Sequence, residues 1–160
     1  MNGTVRTSRR LHMLIESGTI YNGDGNSPRK ANIGIKDDKI VFIGNEKPEA
    51  DVSVCAENLF VAPGFIDIHN HTDVEIGKII ASGKSYEQLD RRERSCHNYI
   101  AQGVTTIFTG NCGGGFTSAD NLSGFLGDHG FGTNLGHFIP YGSLREELLA
   151  QLSADRAKLP

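Results

Sequence analysis

The chain has no tryptophan, and nowhere in its 160 residues is there an apolar run long enough for a membrane-spanning helix. Arg6, Arg9 and Arg10 are not followed by an apolar stretch of signal-peptide length, so no secretory signal is read there and a cytoplasmic location is expected. Cysteine is sparse: Cys55, Cys96 and Cys112 are odd in number and far apart, which excludes a disulfide framework and a Cys-x-x-Cys zinc knuckle. There is no excess of positive charge. The formal net charge is −3, which argues against nucleic acid or an anionic membrane surface as a partner. Two nucleotide and nucleophile signatures are also missing. No Gly-x-Ser-x-Gly elbow occurs, and the glycine loop at Gly110–Gly115 lacks the Gly-Lys-Ser/Thr ending of a phosphate-binding loop.

What is present is a globular composition, 38% hydrophobic and 22% charged, in a length that allows one domain with a small companion. Residues 1–12 are expected to be disordered, with Met13 a plausible second start. Residues 13–58 read as short strands punctuated by turns, of which Asn22-Gly-Asp-Gly-Asn26 is the strongest. They suggest an antiparallel β-layer, part of a small sandwich. At Leu59 the texture changes to apolar runs alternating with helical segments, the pattern of βαβ units. The expected strands are 59–68, 104–109 and a third within 133–140. Tyr86 to Gln102 reads as a helix ended by Gly103, with Leu89, Tyr99 and Ile100 as inward positions, and residues 74–85 as a connection without a clear pattern. Ser118 is placed to cap a short helix carrying Leu122, Phe125 and Leu126. Ser143-Leu-Arg-Glu146 fits a capping box opening a final helix. Three β-α units cannot close an eight-stranded barrel. Residues 59–160 are therefore either a small open sheet or the first part of a longer fold.

The chemistry concentrates where the first apolar run ends, at Asp67-Ile-His-Asn-His71. On an extended backbone Asp67, His69 and His71 share one face. Two imidazoles at a strand end suit a divalent ion such as Zn²⁺; they also occur as solvated loop histidines. Cys112 lies just past the next strand. In a parallel sheet it would meet the histidines at one edge, a donor set compatible with zinc, unless it is a thiol without a partner. Asp67 either orients a ligand imidazole or holds the strand end. Asp73 is expected to face solvent. His137, inside an apolar stretch, reads as a core histidine. Cys96 and His97 read as surface or packing residues. Cys55 is placed away from this edge, and His12 and His129 carry no signal. A nucleophilic cysteine in the Gly110-Asn-Cys-Gly-Gly-Gly115 loop is a weaker alternative.

The run Val61-Ala-Pro-Gly-Phe-Ile-Asp-Ile-His-Asn-His71, preceded by Asp37-Asp-Lys-Ile-Val-Phe-Ile-Gly44, resembles the amidohydrolase superfamily. Gln102-Gly-Val-Thr-Thr-Ile-Phe-Thr-Gly-Asn-Cys-Gly113, with Gly132-Thr-Asn134 and Gly142-Ser-Leu-Arg145, resembles its N-acyl-D-amino-acid deacylase branch, and the likeness extends over about residues 13–157. It implies an α/β fold: the first three units of a metal-dependent (β/α)₈ barrel, behind part of a small β-sandwich. It implies His69, His71 and Cys112 as metal ligands to one or two Zn²⁺ ions, and a small N-acylated amino acid as substrate. The implied reaction is hydrolysis of a carbon–nitrogen (non-peptide) amide bond by metal-activated water. The family's later histidine ligands and its catalytic aspartate have no counterpart in this chain. No catalytic base is therefore assigned, and the chain by itself is expected to be inactive, to lack the C-terminal part of its barrel and to self-associate through an exposed sheet edge. Pro140-Tyr141 stands where many relatives carry Gly-His, which leaves no substrate contact assigned at Tyr141. Two alternatives remain: a cyclic-amide hydrolase of the hydantoinase or dihydropyrimidinase kind, and a non-catalytic truncated product.

Overall fold

The computed structural model describes residues 10–127 and 131–157. The chain divides into two compact units, one up to Pro63 and one from Gly64 onward. This is a few residues beyond the 58/59 boundary expected from the sequence. Residues 1–9, His129 and Lys158–Pro160 lie outside the described residues, and with them most of the segment expected to be disordered. For its last residues the outcome differs, because the first strand already begins at Leu11. Leu11 is buried and its N–H donates to the Glu49 carbonyl at 3.0 Å.

The first unit is one mixed sheet of five strands: β1 (Leu11–Ile20), β2 (Arg29–Lys36), β3 (Lys39–Gly44), β4 (Ala50–Cys55) and β5 (Phe60–Val61). The order is β3-β2-β1-β4, with β5 also on β1. The Asn22–Asn26 turn and the Asp37-Asp38 turn produce antiparallel pairs, as expected. β4 and β5 instead pair with β1 in parallel, so the layer is not purely antiparallel. A parallel neighbour requires the chain to cross over the sheet. Asn32 holds the start of that crossover: its buried amide donates to the Asn45 and Glu46 carbonyls (3.2 and 2.9 Å). Its Oδ1 accepts the Ser17 N–H at 2.8 Å, at a bulge in β1 where Ser17 has φ of 62°. Ile20, Ala31 and Ile33 form the buried centre, with Ile15, Ile35 and Val61 packed on it. Among the described residues this unit shows a single sheet.

The second unit is a parallel sheet of order β6-β7-β8, built from β6 (Phe65–Asp67), β7 (Val104–Thr109) and β8 (Asn134–His137). Among the described residues five α-helices follow the strands: α1 (Thr72–Ala81), α2 (Arg91–Ser95), α3 (His97–Ile100), α4 (Ala119–Leu126) and α5 (Tyr141–Arg156). The β-branched run of β7 is the middle strand, and Ile107 and Thr109 are fully buried.

Several expectations are corrected here. The apolar run 59–68 is two short strands, β5 and β6, because Pro63 has no N–H to donate and breaks the run. Gly64 stays glycine for space, since a Cβ there would collide with the Thr105 side chain. The connection 74–85 is largely helix α1, whose Ile76 is buried. The helix expected over 86–102 is a 3₁₀ turn at Tyr86–Gln88 followed by α2 and α3. The break lies at Cys96, whose φ is 49°. No apolar residue between Leu89 and Cys96 gives α2 a face to bury, and the Arg94 carbonyl is taken by the Gly132 N–H at 3.0 Å. Leu89 is buried as expected, whereas Ile100 is exposed. The final helix begins at Tyr141, so Ser143 sits inside its first turn and makes no cap hydrogen bond.

Candidate metal centre

β6 and β7 are adjacent and parallel, with Asp67 opposite Ile107, so the segments leaving their C-terminal ends emerge along one edge. From β6 the chain runs through His69, Asn70 and His71 into α1. From β7 it runs through Gly110, Asn111 and Cys112. The three donor side chains meet there. Cys112 Sγ lies 3.5 Å from His69 Nε2 and 3.7 Å from His71 Nε2, and the three ligand atoms are all within 4.8 Å of one another. The two imidazoles are edge-on, with ring centroids 5.8 Å apart.

Bond lengths show what this spacing fits. A tetrahedral zinc with Zn–S of about 2.3 Å and Zn–N of about 2.05 Å separates sulfur from nitrogen by about 3.6 Å. The observed distances bracket that value. Thiolate and neutral imidazole are also the chemical types a zinc-like ion accepts. All three side chains are exposed, leaving a face free for a further ligand or a substrate.

The backbone that presents Cys112 is unusual. Gly110, Cys112 and Gly113 all have positive φ (77°, 57° and 78°). Cys112 is therefore a non-glycine residue in the left-handed region, a conformation that persists where surrounding contacts over-determine it. Gly110 cannot be replaced freely: a Cβ would lie 2.6 Å from the Phe138 carbonyl oxygen.

Asp67 does not touch an imidazole nitrogen in the contacts observed. Its Oδ1 accepts the backbone N–H of His69 at 3.0 Å, a bond at the turn out of β6 that fits the structural one of the two roles left open. His137, expected as a satisfied core histidine, is half-buried and has a partner at each ring nitrogen. Thr109 Oγ1 is 2.6 Å from its Nδ1, and Nε2 is 3.1 Å from the Phe116 carbonyl. A carbonyl only accepts, so Nε2 carries the proton and Thr109 donates to Nδ1. Asp73, expected to face solvent, is buried in the first turn of α1, and its Oδ1 has no partner among the described residues. Cys96 is the most buried of the three thiols. Burial pushes its thiol up to about 11, so it is protonated and unreactive at neutral pH. It lines a cavity of about 660 Å³ beside His71, with Thr72, Ile76, Leu89 and Tyr99. Tyr141, the position left unassigned, is exposed at the start of α5.

Sequence reasoning passed over Asn70 and Asn111, whose amides join the two loops. Their signal is positional: each sits beside a donor, one between the two histidines and one before the cysteine.

No protein-family model matches the chain. It is 36% identical over 107 residues to a D-aminoacylase of Alcaligenes xylosoxydans xylosoxydans, a match covering 66% of this chain and 19% of that protein. It is 41% identical over 63 residues to a D-hydantoinase of Rhizobium radiobacter, covering 39% and 13%. The crystal structure of N-acyl-D-glutamate deacylase from Bordetella bronchiseptica, complexed with zinc and a phosphonate inhibitor, superimposes with a TM-score of 0.60 at 26% identity, over 85% of this chain and 31% of that one. The chain thus spans about one fifth of the length of the D-aminoacylase it matches. In sequence and in fold it resembles the N-terminal part of the D-aminoacylases, within the amidohydrolases.

Proposed function

We propose that this chain carries part of the metal centre of an amidohydrolase acting on carbon–nitrogen (non-peptide) amide bonds, an N-acyl-D-amino-acid deacylase. His69, His71 and Cys112 are the ligands, Zn²⁺ is the ion (one or two), and the second unit is the first part of a (β/α)₈ barrel. The single observation that carries the reading is the pair of sulfur–nitrogen distances, 3.5 and 3.7 Å, which fit one tetrahedral ion. A bound divalent ion supplies Lewis acidity, polarising a substrate carbonyl and lowering the pKa of a water toward about 7. The residues of this chain do the holding. The two imidazoles offer Nε2 as neutral donors, Cys112 brings negative charge that offsets the ion's, and Asp67 fixes the backbone of His69. No side chain of this chain is assigned as the base that passes a proton to the leaving amine.

The substrate in this reading is a small N-acylated D-amino acid, in the cytoplasm. The cyclic-amide alternative has the D-hydantoinase match behind it. That match is confined to a shorter stretch than the D-aminoacylase one. Apolar residues left exposed around the second unit's sheet, among them Phe65, Ile66, Ile68 and Ile139, support the expectation that this chain alone self-associates.

The test uses the gene product extended beyond residue 160, with metal analysis and a panel of N-acyl-D-amino acids beside hydantoins. Zinc-dependent release of free D-amino acids is expected, and preferential ring opening would favour the alternative. His69→Ala in that protein is expected to lose both metal and turnover; unchanged kcat and metal content would remove His69 from the site. The 160-residue chain is expected to show no turnover, and robust metal-dependent hydrolysis by it would refute that.

A further inference from the structure

We infer that Asn70 and Asn111 are positioning residues for the His69/His71/Cys112 donor set: together they form a two-amide clamp that sets the distance between the two ligand loops. This rests on the metal-centre reading above. The argument is a count of hydrogen-bonding groups.

Asn111 has two Nδ2 hydrogens. One goes to the Asn70 carbonyl (3.0 Å) and the other to the Phe108 carbonyl (2.9 Å). Asn70 also has two, directed to the Asp67 carbonyl (3.4 Å) and again to the Phe108 carbonyl (3.1 Å), while its Oδ1 accepts the Thr72 N–H (3.2 Å). The Phe108 carbonyl has two lone pairs, and one amide takes each. Asn70 is buried, with both donors and its acceptor used.

The consequence is geometric. The residue between the two histidines is tied directly to the residue before the cysteine, and both are tied to the same peptide of β7. Both amide nitrogens bond backbone carbonyls, so both residues act through backbone position. The clamp also gives a reason for the left-handed backbone at Cys112: with Asn111 held toward Asn70, the next side chain turns toward the imidazoles. An aspartate at 111 would set carboxylate oxygens against two carbonyl oxygens, and an alanine would take the amide donor from the Asn70 carbonyl and leave the Phe108 carbonyl only the Asn70 amide.

The experiment titrates the full 160-residue chain with Co²⁺. It follows the thiolate-to-cobalt absorption and reads amide exchange at Ile107 and Thr109 of β7 in parallel. Asn70→Ala, Asn111→Ala and Asn111→Asp are expected to bind Co²⁺ about ten- to a hundredfold more weakly, as loss of an outer partner does at metal sites. Ile107 and Thr109 are expected to stay protected. Unchanged affinity and absorption in all three variants would overturn the inference. Weaker binding that appears only together with lost protection would also overturn it, because the amides would then be holding the fold and not the site. Cys112→Ser marks the band: it must abolish the thiolate absorption. A wild-type chain with no such band would remove the metal-centre reading and this inference with it, whereas a wild-type band left untouched by the asparagine variants removes this inference alone.

Discussion

Gly110→Ala should cost more than its one added methyl group suggests. Gly110 has φ of 77°, where an L-residue is strained by about 1–2 kcal/mol. The new Cβ would also lie 2.6 Å from the Phe138 carbonyl oxygen and 3.0 and 3.2 Å from two atoms of the His137 ring. None of these neighbours can step aside freely. The Phe138 N–H is bonded to the Thr109 carbonyl at 2.9 Å, and the His137 ring is held at both nitrogens. Overpacking of such a place costs about 1–3 kcal/mol. Against this, alanine restricts the unfolded chain and returns about 0.4–1 kcal/mol. The net expectation is a loss of about 2–4 kcal/mol, a large part of a small domain's stability. Gly114→Ala is the control on the same loop: its φ is −97° and nothing lies within 4 Å of the new Cβ, so its effect should stay within about 0.5 kcal/mol. Urea unfolding followed by circular dichroism measures both. A Gly110→Ala midpoint equal to wild type, or an equal loss in Gly114→Ala, would refute the reasoning.

Thr109→Val keeps the shape of a fully buried side chain and removes the hydroxyl that donates to His137 Nδ1. A loss of about 1–3 kcal/mol in urea unfolding is expected, and a neutral result would show that the nitrogen finds another donor. Asn32→Ala should destabilise the first unit by more than a surface substitution, since it removes three hydrogen bonds at the bulge and crossover; exchange of the Ser17 amide reports it directly. The Cys96 thiol is raised by burial to about 11 in the folded chain, from 9.0. The unfolded chain releases that proton first, so folding stability should fall as pH rises from about 9 toward 11. Cys96→Ala removes this contribution. Its urea midpoint should decline less than that of wild type across that window, and parallel declines would contradict the assignment.

How much of this the sequence revealed follows from which signals are local. His69 and His71 stand two apart and Cys112 follows a β-branched run, so parallel neighbouring strands suffice to bring them together, as the structure does. β7 and the short helix α4 were legible for the same reason. The strand expected over 59–68 was not, because apolar character persists through Pro63 while strand pairing does not. The helix expected over 86–102 carried helix-forming residues but no apolar residue between Leu89 and Cys96. The break at Cys96 depends on a tertiary bond from Gly132, which no local pattern contains. The parallel β4 likewise depends on Asn32 pinning a crossover thirteen residues away in sequence.

His137 shows where position stops being informative. It ends β8 directly opposite Thr109, so it lies at the same edge of the sheet from which the donor loops leave. By topology alone it is as good a ligand candidate as His69. Hydrogen-bond accounting separates them. Both nitrogens of His137 are spent, one on Thr109 and one on the Phe116 carbonyl, whereas His69 and His71 direct Nε2 at a single exposed sulfur. Thr109 and Phe116 settle the question together: a buried hydroxyl 2.6 Å away occupies Nδ1, and the Phe116 carbonyl accepts from Nε2, which commits His137 to structure. If that is right, Thr109→Val should weaken the fold without adding a histidine to the metal's ligands, because Nδ1 still faces the buried position 109 and Nε2 keeps the ring anchored to the Phe116 carbonyl. A cobalt spectrum changed in that variant would show that His137 competes for the ion after all.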